Sequence, residues 1–215
     1  RAFRAALRDR FATIARTDPR FGVDALQRQF AYDRLLARAF SSQDADRWVL
    51  KGAGALLARL EVARHSQDID MLYGAPAHAG DVAGDTLDAS IEEAAQALRQ
   101  VVAVDLLDHF RFEITRTSPL QEEARGRRVD VTAYLGTRYA SFHVDVVFAT
   151  VMTGRPDTVA PLTPLLIQGL RRPAYRVFPM AGGRDRVRGG LCGRAAARAI
   201  RAGRRPAARR PYLLR

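Results

Sequence analysis

Residues 1–180 predict an α+β fold, and two observations carry that reading. Apolar residues recur at helical spacing in three stretches, 3–15, 24–40 and 86–102. Shorter apolar or alternating stretches at 48–50, 68–73, 110–115, 128–135 and 141–148 have the pattern of strands. A third observation sets the remainder apart. From residue 181 to 215 nearly everything is Arg, Ala, Gly or Pro, without apolar periodicity. Such a segment cannot bury a core of its own. The expected organisation is one domain over 1–180 and an Arg/Ala/Gly-rich tail over 181–215, disordered or frame-shifted.

The elements follow in order. Phe3, Ala6, Leu7, Phe11 and Ile14 form the stripe of a first helix. After a loop holding Pro19 and Gly22, a second helix runs from Asp24, its expected N-cap, to Phe40. Leu26, Phe30, Leu35, Leu36 and Phe40 are its apolar stripe, with Arg28, Asp33 and Arg38 at polar positions. Trp48-Val49-Leu50 is a short buried strand, Lys51-Gly52-Ala53-Gly54 a turn, and Ala55 to Val62 a helix. Asp68 to Tyr73 is a strand, and a loop at 74–85 leads to a third long helix capped by Asp85. Strands at Phe110–Thr115, Arg128–Leu135 and Ser141–Phe148 follow, the last two joined by a Gly136-Thr137 hairpin turn. Leu162 to Leu170 reads as a short helix and Tyr175 to Phe178 as a final strand.

Composition bounds the possibilities. With 47% hydrophobic residues in 215, the chain can bury a core. No apolar run approaches the roughly 18 residues of a membrane span, so the expectation is a cytoplasmic protein with no membrane partner. The opening at Arg1 rather than Met suggests a short leader missing from this numbering. One cysteine, Cys192, excludes an internal disulfide framework and a multi-cysteine metal site. The net charge is +12, of which residues 181–215 carry +10 and residues 1–180 only +2. Lys51 is the sole lysine among 35 basic residues, a bias that fits GC-rich coding more than function.

The chemistry concentrates in Lys51-Gly52-Ala53-Gly54 and in His65-Ser66-Gln67-Asp68-Ile69-Asp70. Asp68 and Asp70 are two apart on a strand, so both carboxylates share one face while Ile69 and Met71 face the core. Two like charges side by side call for a cation between them. Mg²⁺ suits that role, because it takes hard oxygen ligands and keeps room for substrate phosphates. Small residues at 52–54 let backbone N–H groups approach a polyphosphate at a helix start. Ser66 can add a hydroxyl donor to it. Asp145, on a later alternating strand, can supply a third carboxylate, and Asp130 in Val129-Asp130-Val131 has a similar context. Three carboxylates on adjacent strands can hold two metal ions ~4 Å apart.

Trp48-Val49-Leu50-Lys51-Gly52-Ala53-Gly54-Ala55-Leu56, with Arg64 and Ser66-Gln67-Asp68-Ile69-Asp70, resembles the AbiEii/AbiGii toxin family. These are DNA-polymerase-β-like nucleotidyltransferases that include the mycobacterial MenT toxins. The family pattern is Leu-Lys-Gly-Gly-Thr-Ala-Leu, then Arg-x-Ser-x-Asp-Ile-Asp, so Ala53 and Gly54 here replace Gly-Thr. The helix with Phe30, Asp33, Arg34, Leu35, Leu36 and Phe40 resembles the family's lead-in, and Phe142 to Val147 its later strand, which favours Asp145 as third carboxylate. The resemblance spans roughly residues 24–180. It implies a polymerase-β-like core, a short mixed sheet flanked by helices. It implies a two-metal Mg²⁺ site on Asp68, Asp70 and Asp145, with nucleotide at Lys51, Gly52, Ala53, Gly54 and Ser66. It also implies transfer of NMP from an NTP to an RNA acceptor, the tRNA 3′ end in the MenT branch, by the toxin of a toxin–antitoxin pair with a cognate antitoxin.

Beyond Met180 the family continues into a helix with an Asp-Lys pair and later an Asp-x-x-Asp segment, and nothing in 181–215 matches either. Two rival readings follow: an inactive remnant that keeps the core fold, or a basic nucleic-acid-binding module acting through the tail. Plainer readings stand beside each site residue too. Asp68 and Asp70 can be a polar strand edge, Lys51 a surface lysine, and Ser66 a turn cap. His65, His78, His109 and His143 lack metal-ligand spacing and read as surface or core residues, and Cys192 as an inert thiol.

Overall fold

A computed structural model describes residues 2–18, 20–59, 68–74, 84–120, 126–148, 154–161, 163, 165–179 and 212–214. Its helices are α1 (Ala2–Thr17), α2 (Val23–Ala39), α3 (Gly52–Arg59) and α4 (Gly84–Ala103). The strands are β1 (Trp48–Leu50), β2 (Asp68–Tyr73), β3 (Arg111–Pro119), β4 (Gly126–Leu135), β5 (Thr137–Val147), β6 (Asp157–Val159), β7 (Leu165–Ile167), β8 (Tyr175–Val177) and β9 (Tyr212–Leu214). No helix among the described residues is long and apolar enough to cross a membrane.

Seven strands form one mixed sheet in the order β3-β4-β5-β2-β1-β8-β6. β3, β4 and β5 are an antiparallel meander, and the β4–β5 turn uses Gly136 at φ +72°. β5 then lies parallel to β2, which is antiparallel to β1. β1 pairs in parallel with β8, and β6 closes the far edge. The α+β class with a mixed sheet flanked by helices is therefore the observed one. A second, two-stranded sheet pairs β7 with β9 in parallel, which brings residues 212–214 onto residues 165–167.

Period-two alternation divides the large sheet into two unlike faces. Ile69 and Met71 of β2, Val144 and Val146 of β5, and Val129 and Val131 of β4 are buried in the core that includes Leu26, Phe30, Leu35, Ala94 and Leu98. The Tyr32 ring of α2 meets the Phe142 ring edge-on at 4.8 Å. The opposite face carries the polar residues of the same strands.

Several local expectations need correction. α2 starts one residue earlier than predicted, with Gly22 as N-cap. Asp24 therefore sits inside the first turn, where its charge still suits the helix dipole. α4 begins at Gly84, so Asp85 is within the helix rather than capping it. The glycine segment at 52–54 is the first turn of α3 rather than a separate turn. Residues 165–167 are a strand, not a helix. Only three consecutive apolar residues follow Pro164 before Gln168 and Gly169, too few for a buried helical stripe and enough for one short strand.

Three charged residues in the second half of α2 are buried. Asp33, Arg34 and Arg38 are each at most 3% exposed. Arg38 clasps Asp108 with two hydrogen bonds of 2.9 and 2.8 Å. It also donates to the carbonyls of Val104 and Phe110, while Arg34 lies 3.7 Å from the same carboxylate. Asp33 accepts from the Tyr175 hydroxyl at 2.5 Å and from the Thr163 amide at 2.7 Å. These ions bind α2 to the start of β3 on one side and to β8 on the other.

Candidate active site

The pairing registers arrange the polar face in rows. Asp70 of β2 lies opposite Asp145 of β5, which lies opposite Arg128 of β4, which lies opposite Ser118 of β3. One row over stand Asp68, His143, Asp130 and Arg116. Residues in register on neighbouring strands share a face. Asp68, Asp70 and Asp145 are therefore gathered on one surface from two strands far apart in sequence. The surface opens into a cleft of about 640 Å³ whose lining includes Lys51, Gly52, Asp70, Arg116, Arg128 and Asp145.

β1 and α3 hold the near wall. The Lys51 amide donates to the Asp70 carbonyl at 2.8 Å, and the Phe178 amide to the Leu50 carbonyl at 2.7 Å, so Lys51 is fixed where β1 ends. Gly52 then turns the chain at φ +58°, the left-handed region where glycine carries no steric penalty. Space demands glycine as well: a Cβ at 52 would stand 2.0 Å from Asp70 Oδ2. The Asp70 carboxylate thus rests on bare backbone at the start of α3. The Ala53 amide donates to it, and burial pushes its pKa up. The Asp145 and Asp68 charges add to that rise, and Lys51 and the Ala53 amide oppose it. Part of the glycine segment's donor capacity is therefore spent on a carboxylate.

Asp145 is held differently. Arg128 donates from Nε to Oδ1 at 2.8 Å and from a terminal nitrogen to Oδ2 at 2.6 Å. The same nitrogen lies 3.7 Å from Asp68 Oδ2. Two parallel charge-assisted bonds are the strongest contact a carboxylate makes with a side chain. In the next row His143 Nδ1 lies 2.7 Å from Asp130 Oδ1.

A family model for the nucleotidyl transferase AbiEii toxin of a type IV toxin–antitoxin system matches residues 34–180, more than half of the chain. The chain belongs to the AbiEii toxin family. No curated protein matches it. Two solved structures from Helicobacter pylori are similar over part of their length. JHP933 is 10% identical with a TM-score of 0.39, over 74% of this chain and 54% of that one. A candidate nucleotidyltransferase is 11% identical with a TM-score of 0.38, over 74% of this chain and 56% of that one. The chain spans about half the length of these structures.

Within this AbiEii chain the structure brings together Lys51, Gly52, Ala53, Asp68, Asp70 and Asp145. Gly54 faces away from the cleft group, since a Cβ there would meet Leu50 Cδ1 at 3.2 Å. Arg64 and Ser66 lie outside the described residues, as does nearly all of the tail. Arg128 and Arg116 are site residues that the sequence does not single out, and His143, expected to be a surface or core residue, stands on the same face. Alternation is the available signal for Arg128 and His143, because Arg128 and Asp130 recur two apart on one strand as His143 and Asp145 do on the next.

The donor set suits a hard divalent cation. It offers carboxylate oxygens on one face, and burial, with repulsion from Asp145 and Asp68 added, disfavours the charged form of Asp70. Among the described residues no group of three His, Cys, Asp or Glu is arranged to hold a metal ion. The chemistry of the three carboxylates is that of a divalent-cation site, and in this structure Arg128 holds one of them, Asp145.

Proposed function

We propose that this AbiEii-family chain is a toxin that transfers NMP from an NTP to a hydroxyl of an RNA acceptor, the 3′ end of tRNA being the acceptor that its family resemblance implies. The observation that carries the reading is the register of Asp70 against Asp145, with Asp68 on the same face, above a cleft walled by Lys51 and Gly52. Asp68, Asp70 and Asp145 are the residues that would hold Mg²⁺, which supplies charge neutralisation of the triphosphate and activation of the attacking hydroxyl when bound. Lys51 at the end of β1 gives the triphosphate a fixed positive charge, and Ser66 is the proposed hydroxyl donor to it. The acceptor oxygen forms its bond to the α-phosphorus as the bond to the leaving pyrophosphate breaks. The hydroxyl proton passes to a carboxylate of the same face. A cognate antitoxin is the partner that the type IV toxin–antitoxin family suggests.

The test is incorporation of labelled NTP into bulk tRNA with Mg²⁺, comparing the full chain with Asp68→Asn and Asp70→Asn. Transfer by the parent chain, lost in both variants while their circular dichroism is unchanged, supports the reading. Undiminished transfer in both variants overturns the assignment of the site. No transfer by the parent with any NTP favours an inactive member of the family.

A further inference from the structure

Arg128 is the cation that Asp145 holds in this structure. Its guanidinium uses both oxygens of Asp145, at 2.8 and 2.6 Å, and reaches to 3.7 Å from Asp68. The contact is built into the sheet, because Arg128 and Asp145 are register partners on antiparallel strands. The two partners differ in freedom. The Asp145 side chain is 10% exposed and held at the sheet centre, whereas the Arg128 side chain is 40% exposed and borders the cleft. The arginine is therefore the freer member of the pair, and the cleft lies beside it. Lys51 lines that same cleft, so an anion bound there meets both cations.

We propose that Arg128 is a resident counter-ion of Asp145 that a divalent cation must displace, and that the displaced guanidinium then binds the triphosphate of the nucleotide. The inference rests on the nucleotidyltransferase reading of this face. Without nucleotide, metal must win Asp145 from a bidentate ion pair, so metal alone binds weakly. With nucleotide present the guanidinium gains a phosphate partner, for which a planar fork of donors is well shaped. Metal and nucleotide then favour each other's binding, and the coupling is reciprocal. Loading is therefore coupled: Asp145 stays neutralised by Arg128 until substrate and metal arrive together.

The experiment measures free Mn²⁺ by electron paramagnetic resonance against the full chain, alone and with an α,β-methylene NTP. The proteins are the parent chain, Arg128→Gln and Arg128→Lys. In Arg128→Gln, Mn²⁺ alone is expected to bind about tenfold tighter, within the usual span of coupling between sites. The enhancement of Mn²⁺ affinity by nucleotide is expected to shrink by a similar factor. Arg128→Lys keeps the charge and loses the fork, so it should fall between, and it carries the test if the Gln variant does not fold. Asp145→Asn should erase the difference between parent and Arg128→Gln. Equal or weaker Mn²⁺ binding in folded Arg128→Gln overturns the inference alone. Failure of every protein to bind Mn²⁺, with or without nucleotide, overturns the metal-dependent reading and the inference with it.

Discussion

At the scale of single residues, Gly52 is the position with least latitude. It combines a left-handed φ of +58° with a carboxylate oxygen 2.0 Å from where a side chain would begin. Gly52→Ala must displace Asp70 or unwind the start of α3. The left-handed conformation alone costs an alanine about 1–2 kcal/mol. Gly52→Ala is therefore expected to lower unfolding stability by at least about 1 kcal/mol in urea titration, and to abolish transfer. Preserved stability and transfer would mean the tight approach of backbone to Asp70 is dispensable. This requirement was legible only as a glycine before a helix. The Lys-Gly spacing marked a place for close approach, but what approaches Gly52 is a side chain 18 positions later.

Among the elements, α2 shows how far charge can mislead. Asp33 and Arg38 fall at polar positions of an amphipathic helix, with Arg34 next to Asp33 in the chain. They are buried because β8 and the loop after α4 cover that side and bring partners: Tyr175 for Asp33, and Asp108 for Arg38 and Arg34. Periodicity reports which side is apolar; it does not report whether the other side is covered. Burying these ions costs solvation that only full pairing offsets. Asp108→Ala would strand Arg38 without its anion, and breaking one side of such a pair costs about 3–5 kcal/mol. Urea unfolding should show a loss of that size, and a loss below about 1 kcal/mol would mean the pair does not hold α2 to β3. The strands were easier to read. β1 and β2 match their predicted limits, and β3, β4 and β5 were recognised but drawn too short. Pairing along a hairpin continues past the point where hydrophobic alternation fades.

For the molecule as a whole, the decisive feature is the parallel seam between β2 and β5. It joins Asp68 and Asp70 to a strand some 75 residues later in register, Asp70 against Asp145. No local pattern encodes that neighbour relation, which is why Asp130 and Asp145 looked equivalent in strand context. The sheet separates them. Asp145 stands opposite Asp70, while Asp130 lies one strand further out, beyond His143. The basic character of the chain lies elsewhere, since residues 181–215 carry +10 of the +12 net charge and the site sits in the near-neutral remainder.

The central claim is that Asp145, with Asp68 and Asp70, forms the reacting face. Its most direct test is the single-turnover rate of labelled nucleotide transfer to tRNA by Asp145→Asn and Asp130→Asn, each beside the parent chain. Even residues behind a metal ligand commonly cost 10–100-fold when changed. Asp145→Asn is therefore expected to lose at least about 100-fold, and Asp130→Asn to stay within about tenfold of the parent. A parent-like rate in Asp145→Asn, or a larger loss in Asp130→Asn than in Asp145→Asn, would contradict the claim.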